Sequence, residues 1–172
     1  MNARGFSLIE FVVVIVIVGL SAGLALDRLL PIIGRAERVA FMQVQSQLRD
    51  ALLLEAAERI TRGESNTLIE LSGINPMSLL LSPPANYLGS EEWLDSASMP
   101  AASWFFDEHN ARLVYKVGEY TRFDPLNGLD DRVELQVRFV FRDRDGDGVF
   151  GPSHDHFDGL RLESVHSFAW PD

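Results

Sequence analysis

The sequence predicts an α+β fold in which one long N-terminal α-helix packs on a small antiparallel β-sheet. The first half of the helix is an apolar segment over residues 6–26. The second half, residues 35–62, has apolar side chains at helical spacing, and Gly63 ends it. Later in the chain apolar and polar residues alternate, which predicts strands at residues 103–107, 112–117, 132–142 and 160–170. The turn residues at 108–111 predict that the first two strands form a hairpin.

The amphipathic half of the helix is predicted to bury one stripe against the sheet. The stripe consists of Phe41, Val44, Leu48, Ala51 and Leu52. A coiled-coil partner helix is the alternative, but it requires a sustained heptad repeat, which is absent from this stretch.

The segments on either side of this amphipathic half are less regular. Pro31, helped by Gly34, predicts a bend near residues 26–31, because proline removes a helical hydrogen bond. Residues 64–103 read as a loop-rich connector that contains one short helix, with Asn75 as its N-cap and Pro76 at its first position.

The apolar N-terminal segment is long enough to cross a bilayer once. Only Gly19, Ser21 and Gly23 interrupt the apolar run from Phe11 to Leu26. At about 1.5 Å per residue, a helix over residues 6–26 covers roughly 30 Å, the thickness of a bilayer's hydrocarbon core. We therefore predict a single transmembrane helix.

Glu10 is the one charged residue in this segment. A carboxylate inside a membrane costs at least about 2.5 kcal/mol, and such residues commonly have a function. One interpretation places Glu10 at headgroup depth, where water solvates it. The other requires cleavage after Gly5, which would give Phe6 a free α-amine that pairs with the Glu10 carboxylate of a neighbouring subunit.

The run Arg4-Gly5-Phe6-Ser7-Leu8-Ile9-Glu10, followed by valines and isoleucines, resembles the class III leader and N-terminal helix of type IV pilins and pseudopilins. The resemblance implies that a prepilin peptidase cuts after Gly5 and methylates Phe6, and that Glu10 pairs with a neighbour's N-terminus during assembly. The implied partners are other pilin or pseudopilin subunits, an inner-membrane assembly platform and membrane lipid. A secretory signal peptide is the alternative, with Ser21-Ala22-Gly23 imitating its cleavage site.

This interpretation divides the chain into three parts: a leader at residues 1–5, a membrane-spanning and polymerising helix at residues 6–30, and a globular head at residues 31–172. The arginines that flank the span favour a cytoplasmic head, since only Arg4 precedes it. The resemblance implies the opposite: a single-pass inner-membrane protein with a periplasmic head, which later joins a periplasmic or extracellular filament. We adopt the second orientation.

Composition limits the possible functions further. Fifteen basic and 25 acidic residues give a net charge of −10, which argues against nucleic-acid binding by a broad basic patch. The chain has no cysteine. Many major pilins close their C-terminal region with a disulfide, so the absence of cysteine favours a pseudopilin or a minor pilin. None of the common catalytic motifs occurs, and we predict no enzymatic activity.

The acidic loop between the last two predicted strands is a candidate calcium site. Its opening fits the pattern D-x-D-x-D-G, in which alternate carboxylates face one hard cation. The predicted ligands are Asp143, Asp145, Asp147 and the Val149 carbonyl, with Asp155 or Asp158 completing the shell. Some major pseudopilins bind structural calcium in a C-terminal loop, so the resemblance supports Ca²⁺ here.

Two alternatives remain for this loop. The carboxylates can form a solvated acidic hairpin tip without any metal. His154 and His156 also permit a transition-metal site, since imidazole is a ligand for zinc and copper.

The function that the sequence favours is a structural subunit of a type IV pilus-like filament, either a type II secretion pseudopilus subunit or a minor pilin. Its head would be stabilised by Ca²⁺. The alternative is a membrane-anchored, calcium-dependent binding or adhesion domain that does not polymerise.

Overall fold

The computed structural model describes residues 7–91, 98–126 and 131–171, except for the side chains of Asp27 and Glu91. It confirms the α+β class. Within these residues, one α-helix, α1, is followed by two 3₁₀ helices and five strands. Their bounds are α1 Leu8–Thr61, 3₁₀ helices Ser65–Leu71 and Pro76–Leu79, β1 Tyr87–Glu91, β2 Ser103–Asp107, β3 Arg112–Lys116, β4 Arg132–Arg142 and β5 His156–Ser164.

The five strands form one sheet in the order β1-β2-β3-β4-β5. The pairs β2–β3, β3–β4 and β4–β5 are antiparallel, whereas β1 lies parallel to β2 at one edge. The predicted hairpin of β2 and β3 and the predicted bounds of β4 are confirmed. Strand β1 was not predicted, because this five-residue strand contains Gly89 and lacks apolar alternation.

Helix α1 is continuous over 54 residues, with Pro31 inside it. The helix is therefore not broken at the proline, and the Arg35 side chain donates a hydrogen bond from Nε to the Pro31 carbonyl at 3.3 Å. The helix ends where expected, because Gly63 has a φ of +78°, a left-handed conformation that favours glycine.

The core lies between the C-terminal half of α1 and the inner face of the sheet. Phe41, Leu48 and Leu52 are buried there, as the predicted stripe requires. The Phe41 ring stacks on Trp104 with a centroid distance of 5.2 Å and an interplanar angle of 8°. Aromatic stacking of this kind adds to the free energy gained by burying both rings. On the sheet, the buried inner-face residues are Trp104, Phe106, Leu113, Tyr115, Val133, Leu135, Val137 and Leu162.

The last strand differs from its prediction. It begins at His156 and ends at Ser164, so the predicted continuation through Trp170 was wrong. Residues beyond Ser164 leave the sheet, and Ala169 pairs instead with Asp124 in an isolated bridge. The apolar residues that suggested a strand here, Phe168 and Trp170, pack around the Phe41 ring.

A second contact attaches the helix to the head, and it depends on a carboxylate. Glu37 accepts hydrogen bonds from the Tyr115 hydroxyl at 2.8 Å, from the Gly118 backbone N–H at 2.7 Å and from the Thr121 hydroxyl. One turn earlier, a Cβ added at Gly34 would lie 2.8 Å from the Tyr120 carbonyl oxygen. The loop that follows β3 therefore rests directly on the helix backbone.

This contact is built to persist at neutral pH. Burial, together with the Glu37 carboxylate, raises the pKa of the Tyr115 hydroxyl well above its ordinary value. The hydroxyl therefore remains a hydrogen-bond donor. A Cβ added at Gly118 would overlap the Glu37 carboxylate, so the close approach requires glycine at this position.

Replacing Glu37 should destabilise the head. Glu37→Ala leaves the three donors without their shared acceptor, and an unsatisfied buried donor such as the Tyr115 hydroxyl costs about 1–3 kcal/mol. We expect a lower melting temperature in a thermal melt of the full chain in detergent. Glu58→Ala, which removes an exposed carboxylate of the same helix, is the matched control. Equal melting temperatures for the two variants would contradict the role of Glu37.

Candidate functional sites

The first candidate site is the start of the membrane helix. Gly5 and Phe6, the predicted processing residues, lie outside the described residues. The helix begins at Leu8 with Ser7 as its N-cap, and Glu10 lies in the first turn. A carboxylate at this position interacts favourably with the partial positive charge of a helix N-terminus. Within the part of the chain that the structure describes, Glu10 is exposed and has no ion-pair partner.

The apolar surface that follows Glu10 is not covered by the head. Every described residue from Leu8 to Leu26 is exposed, although most of them have large apolar side chains. This helix is the one segment of the described chain that is long and apolar enough to cross a membrane. Its surface therefore needs lipid or other apolar helices around it.

The second candidate site is the acidic loop between β4 and β5. Asp143 closes its first turn, because its Oδ1 accepts a hydrogen bond from the Gly146 N–H at 2.6 Å and its Oδ2 accepts one from the Gly148 N–H at 2.9 Å. Gly146 and Gly148 have φ values of +79° and +76°. The glycines therefore supply the left-handed turns that bring the carboxylates together.

The far end of the loop returns to the same place. Asp155 accepts hydrogen bonds from the Arg144 N–H at 2.9 Å and from the Gly151 N–H at 2.8 Å. Four carboxylates thus form one group in which the potential ligand oxygens all lie within 4.8 Å of one another. The group consists of the predicted ligands Asp143, Asp145, Asp147 and Asp155.

The remaining predicted ligands have other surroundings. Asp158 lies 3.0 Å from His156 Nδ1 and 3.5 Å from an Arg142 guanidinium nitrogen, so it is outside the group of four. Val149 lies within the loop, and its N–H donates to Asp147 Oδ1 at 2.8 Å. His154 Nδ1 is 3.0 Å from the Ser153 hydroxyl. Neither histidine is among the residues of the carboxylate group.

Phe150, which was not predicted as a site residue, fixes this loop to the sheet. The Phe150 ring lies edge-on to Phe139, with a centroid distance of 4.8 Å, and 5.6 Å from Phe141. Phe157 also stacks on Phe139, at a centroid distance of 5.2 Å. A phenylalanine within an acidic loop was the available signal. These rings hold the carboxylate group at the end of the β4–β5 hairpin.

The electrostatics of the loop are uneven, because two of its carboxyls have pKa values shifted in opposite directions. Hydrogen bonds from the Gly146 and Gly148 N–H groups lower the pKa of the Asp143 carboxyl. Desolvation, with repulsion from Asp147 as a smaller contribution, raises the pKa of the Asp145 carboxyl. The folded protein therefore favours the negative charge on Asp143 and disfavours the charge on Asp145.

Comparison with known proteins bears on the first site. Residues 1–26 match the family model described as the prokaryotic N-terminal methylation motif. The match confirms the resemblance of this segment to type IV pilin-like proteins, a structural class. The motif implies processing by a prepilin peptidase and assembly with other pilin subunits. No curated protein and no solved structure matches the chain significantly.

The uneven electrostatics predict opposite effects of two similar substitutions in metal-free protein at neutral pH. Asp145→Asn should raise the melting temperature, because a carboxyl whose folded pKa is raised destabilises the fold once it ionises. Asp143→Asn should lower it, because a carboxyl whose folded pKa is depressed contributes stability above its unfolded pKa. That contribution disappears as the pH falls through the folded pKa.

Thermal melts of the full chain in the presence of a chelator, at neutral pH and near pH 3, test this prediction. The difference between Asp143→Asn and wild type should shrink at the lower pH. Equal effects of the two substitutions at neutral pH would contradict the assignment of opposite shifts.

Proposed function

We propose that the chain is a processed, membrane-anchored subunit of a type IV pilus-like filament, assembled through its N-terminal helix. The observation that carries the proposal is the combination of the N-terminal methylation motif over residues 1–26 with a 54-residue helix whose apolar N-terminal part is exposed. One surface then serves two states: lipid surrounds the helix before assembly, and neighbouring helices surround it in the filament.

Exposed apolar side chains on the head half of α1 support a filament. Leu53 and Leu54 are each 70% exposed, and Val39 is 64% exposed. All three lie on the helix surface that faces away from the sheet. Exposed leucines and valines extend the uncovered apolar surface of the anchor beyond the expected membrane span, so contacts with neighbouring helices can continue alongside the heads.

The remaining parts of the proposal follow from this role. Residues 1–5 form the cytoplasmic leader, residues 6–30 the inner-membrane and polymerising helix, and residues 31–172 the periplasmic head. Cleavage after Gly5 gives Phe6 the amine that pairs with a neighbour's Glu10, and the inner-membrane assembly platform extracts the subunit. The absence of cysteine favours a type II secretion pseudopilin or a minor pilin.

We further propose that the acidic loop binds Ca²⁺ as a structural ion. The support is the donor set: four carboxylates whose oxygens lie within 4.8 Å of one another provide the hard oxygen ligands that Ca²⁺ prefers. Desolvation raises the pKa of Asp145, and repulsion from Asp147 adds a smaller contribution that a cation would offset. Asp143, Asp145, Asp147 and Asp155 would hold the ion, with the Val149 carbonyl as a further ligand.

The filament proposal is tested by shearing cells of the native host. Sheared surface material and membranes are separated, and the protein is detected in each by immunoblot and intact mass. A mass that lacks residues 1–5 and carries one extra methyl group supports processing. This species in the sheared fraction indicates a surface pilus, and its retention in the membrane indicates a pseudopilus. An uncleaved chain would contradict the proposal and favour a permanently anchored binding domain.

Glu10→Ala should separate processing from assembly in the same experiment. Cleavage after Gly5 and methylation of Phe6 should persist, whereas incorporation into filaments should fall sharply because the partner of the neighbour's amine is lost. Ser21→Ala, a change in the same helix that leaves the carboxylate in place, is the control. Wild-type incorporation of Glu10→Ala would contradict the pairing.

The calcium proposal predicts a chelator-sensitive melt. Adding a chelator should lower the melting temperature of the wild-type protein, since an ion that binds only the folded state stabilises it. Asp147→Ala should abolish this sensitivity. Asp158→Asn, outside the carboxylate group, should retain it and serves as the control. If chelation does not change the wild-type melting temperature, the calcium proposal is wrong and the loop is a solvated acidic tip without a metal.

A further inference from the structure

The outer face of the sheet carries two arginine–glutamate–arginine arrangements that differ in how completely their charges are satisfied. In the first, Glu134 is buried, and it accepts a 2.6 Å hydrogen bond from Arg112 and lies 3.1 Å from Arg132 Nε. Both arginines contact this one carboxylate within the head. Such a buried, hydrogen-bonded arrangement is expected to have a structural role.

The second arrangement is open. Arg138 and Arg161 are direct cross-strand partners on β4 and β5, and like charges in this position destabilise a sheet. They share one carboxylate, Glu163, at 3.8 and 3.7 Å, and neither distance is short enough for a hydrogen bond. The Arg138 and Arg161 side chains are 66% and 63% exposed. Their guanidinium donors are therefore available to another molecule.

Arg142 extends this surface along β4. It lies on the same face of the strand as Arg138, its side chain is 67% exposed, and its guanidinium lies 3.5 Å from the Asp158 carboxylate, too far for a short hydrogen bond. We call Arg138, Arg142 and Arg161 the arginine face. The chain as a whole has a net charge of −10, so a cluster of exposed arginines runs against the overall charge of the surface.

A negatively charged surface lies on the other side of the same head. The end of α1 and the first 3₁₀ helix pack on the inner face of the sheet, where Ala56 and Leu71 contact Phe139 and Phe157. Exposed carboxylates surround this region. We call Glu58, Glu64 and Glu70 the acidic end, and their side chains are 58%, 52% and 68% exposed. Two arginines lie among them: Arg62 is 3.6 Å from Glu58 and 3.5 Å from Glu64, and Arg59 is 3.5 Å from Glu70. Because Arg59 makes its shorter contact, 2.8 Å, with Glu55, carboxylates outnumber arginines here and the surface keeps an excess of negative charge.

We propose that the arginine face of one copy of this chain docks on the acidic end of the next copy. The inference rests on the proposed filament function, and charge complementarity identifies a second copy as the occupant. Because the two surfaces lie on opposite sides of one sheet, the contact is heterologous. Such contacts repeat from copy to copy, and unless the rotation closes a ring they generate an open helical assembly. Complementary charges fix the orientation of the heads, while the apolar helices supply most of the affinity.

The absence of native cysteine allows a direct test by disulfide cross-linking in the native host. The first probe is Gln136→Cys, on the arginine face of β4. The second is Asn66→Cys, between Glu64 and Glu70. The two variants are co-expressed as differently tagged full-length chains and mildly oxidised, and the mixed dimer is quantified by immunoblot. We expect a disulfide-linked mixed dimer, which a reducing agent removes.

Charge reversal then tests the chemistry. Adding Arg138→Glu and Arg161→Glu to the first chain should lower the mixed-dimer yield by roughly tenfold or more, because like charges opposed across an interface are strongly unfavourable. Adding Glu64→Arg and Glu70→Arg to the second chain should then restore the yield. Arg49→Glu, an exposed reversal on α1, is the control and should leave the yield unchanged. Melting temperatures establish that each variant remains folded.

The possible failures are distinguishable. If both chains are incorporated into filaments without forming the mixed dimer, or if charge reversal leaves the yield unchanged, this docking contact is wrong and the filament function stands. If reversal lowers the yield and the compensating reversal does not restore it, the acidic end is not the partner of the arginine face. If neither chain is processed or incorporated, the filament function itself is wrong.

Discussion

The structure depends on one continuous helix that has to satisfy two environments. Its N-terminal half requires apolar side chains all round, because lipid or other helices surround it. Its C-terminal half needs an apolar stripe only where Phe41, Leu48 and Leu52 meet the sheet. Because the helix is unbroken, the position and direction of its N-terminal half determine where the head lies.

Attachment of the head to this helix uses two kinds of contact. The aromatic packing around Phe41 is non-directional, and it supplies burial. The Glu37 contact is directional, since one carboxylate accepts three hydrogen bonds from the segment after β3. It lies one turn beyond Gly34, close to where the membrane span is expected to end. Directional bonds at this point fix the rotation of the head about the helix, which apolar packing alone defines poorly.

The elements that could be predicted from the sequence are those with a local, periodic pattern of apolar residues. The buried stripe of α1, the β2–β3 hairpin and the bounds of β4 follow from helical spacing and from strict alternation. Other features depend on contacts between distant segments and were not predicted. They are the parallel strand β1, the end of β5 at Ser164, and the packing of Phe168 and Trp170 on Phe41. Glu37 reads as a solvent-facing residue by its charge. At the acidic loop, the sequence spacing indicated Asp143, Asp145 and Asp147 as ligands. It could not choose between Asp155 and Asp158, because that choice depends on how the chain returns to the start of the loop.

The acidic loop is connected to the helix through a chain of packed rings. Phe150 touches Phe139, and Phe139 and Phe157 pack against Ala56 near the end of α1 and against Leu68 and Leu71 of the first 3₁₀ helix. An ion that ordered the carboxylates would also fix Phe150, because this residue lies only three positions after Asp147. The ordering would then extend along the inner face of the sheet to the end of α1, where the acidic end is located. A local binding event in the loop can therefore change the stability of the whole head and the surface that it presents to a neighbouring subunit.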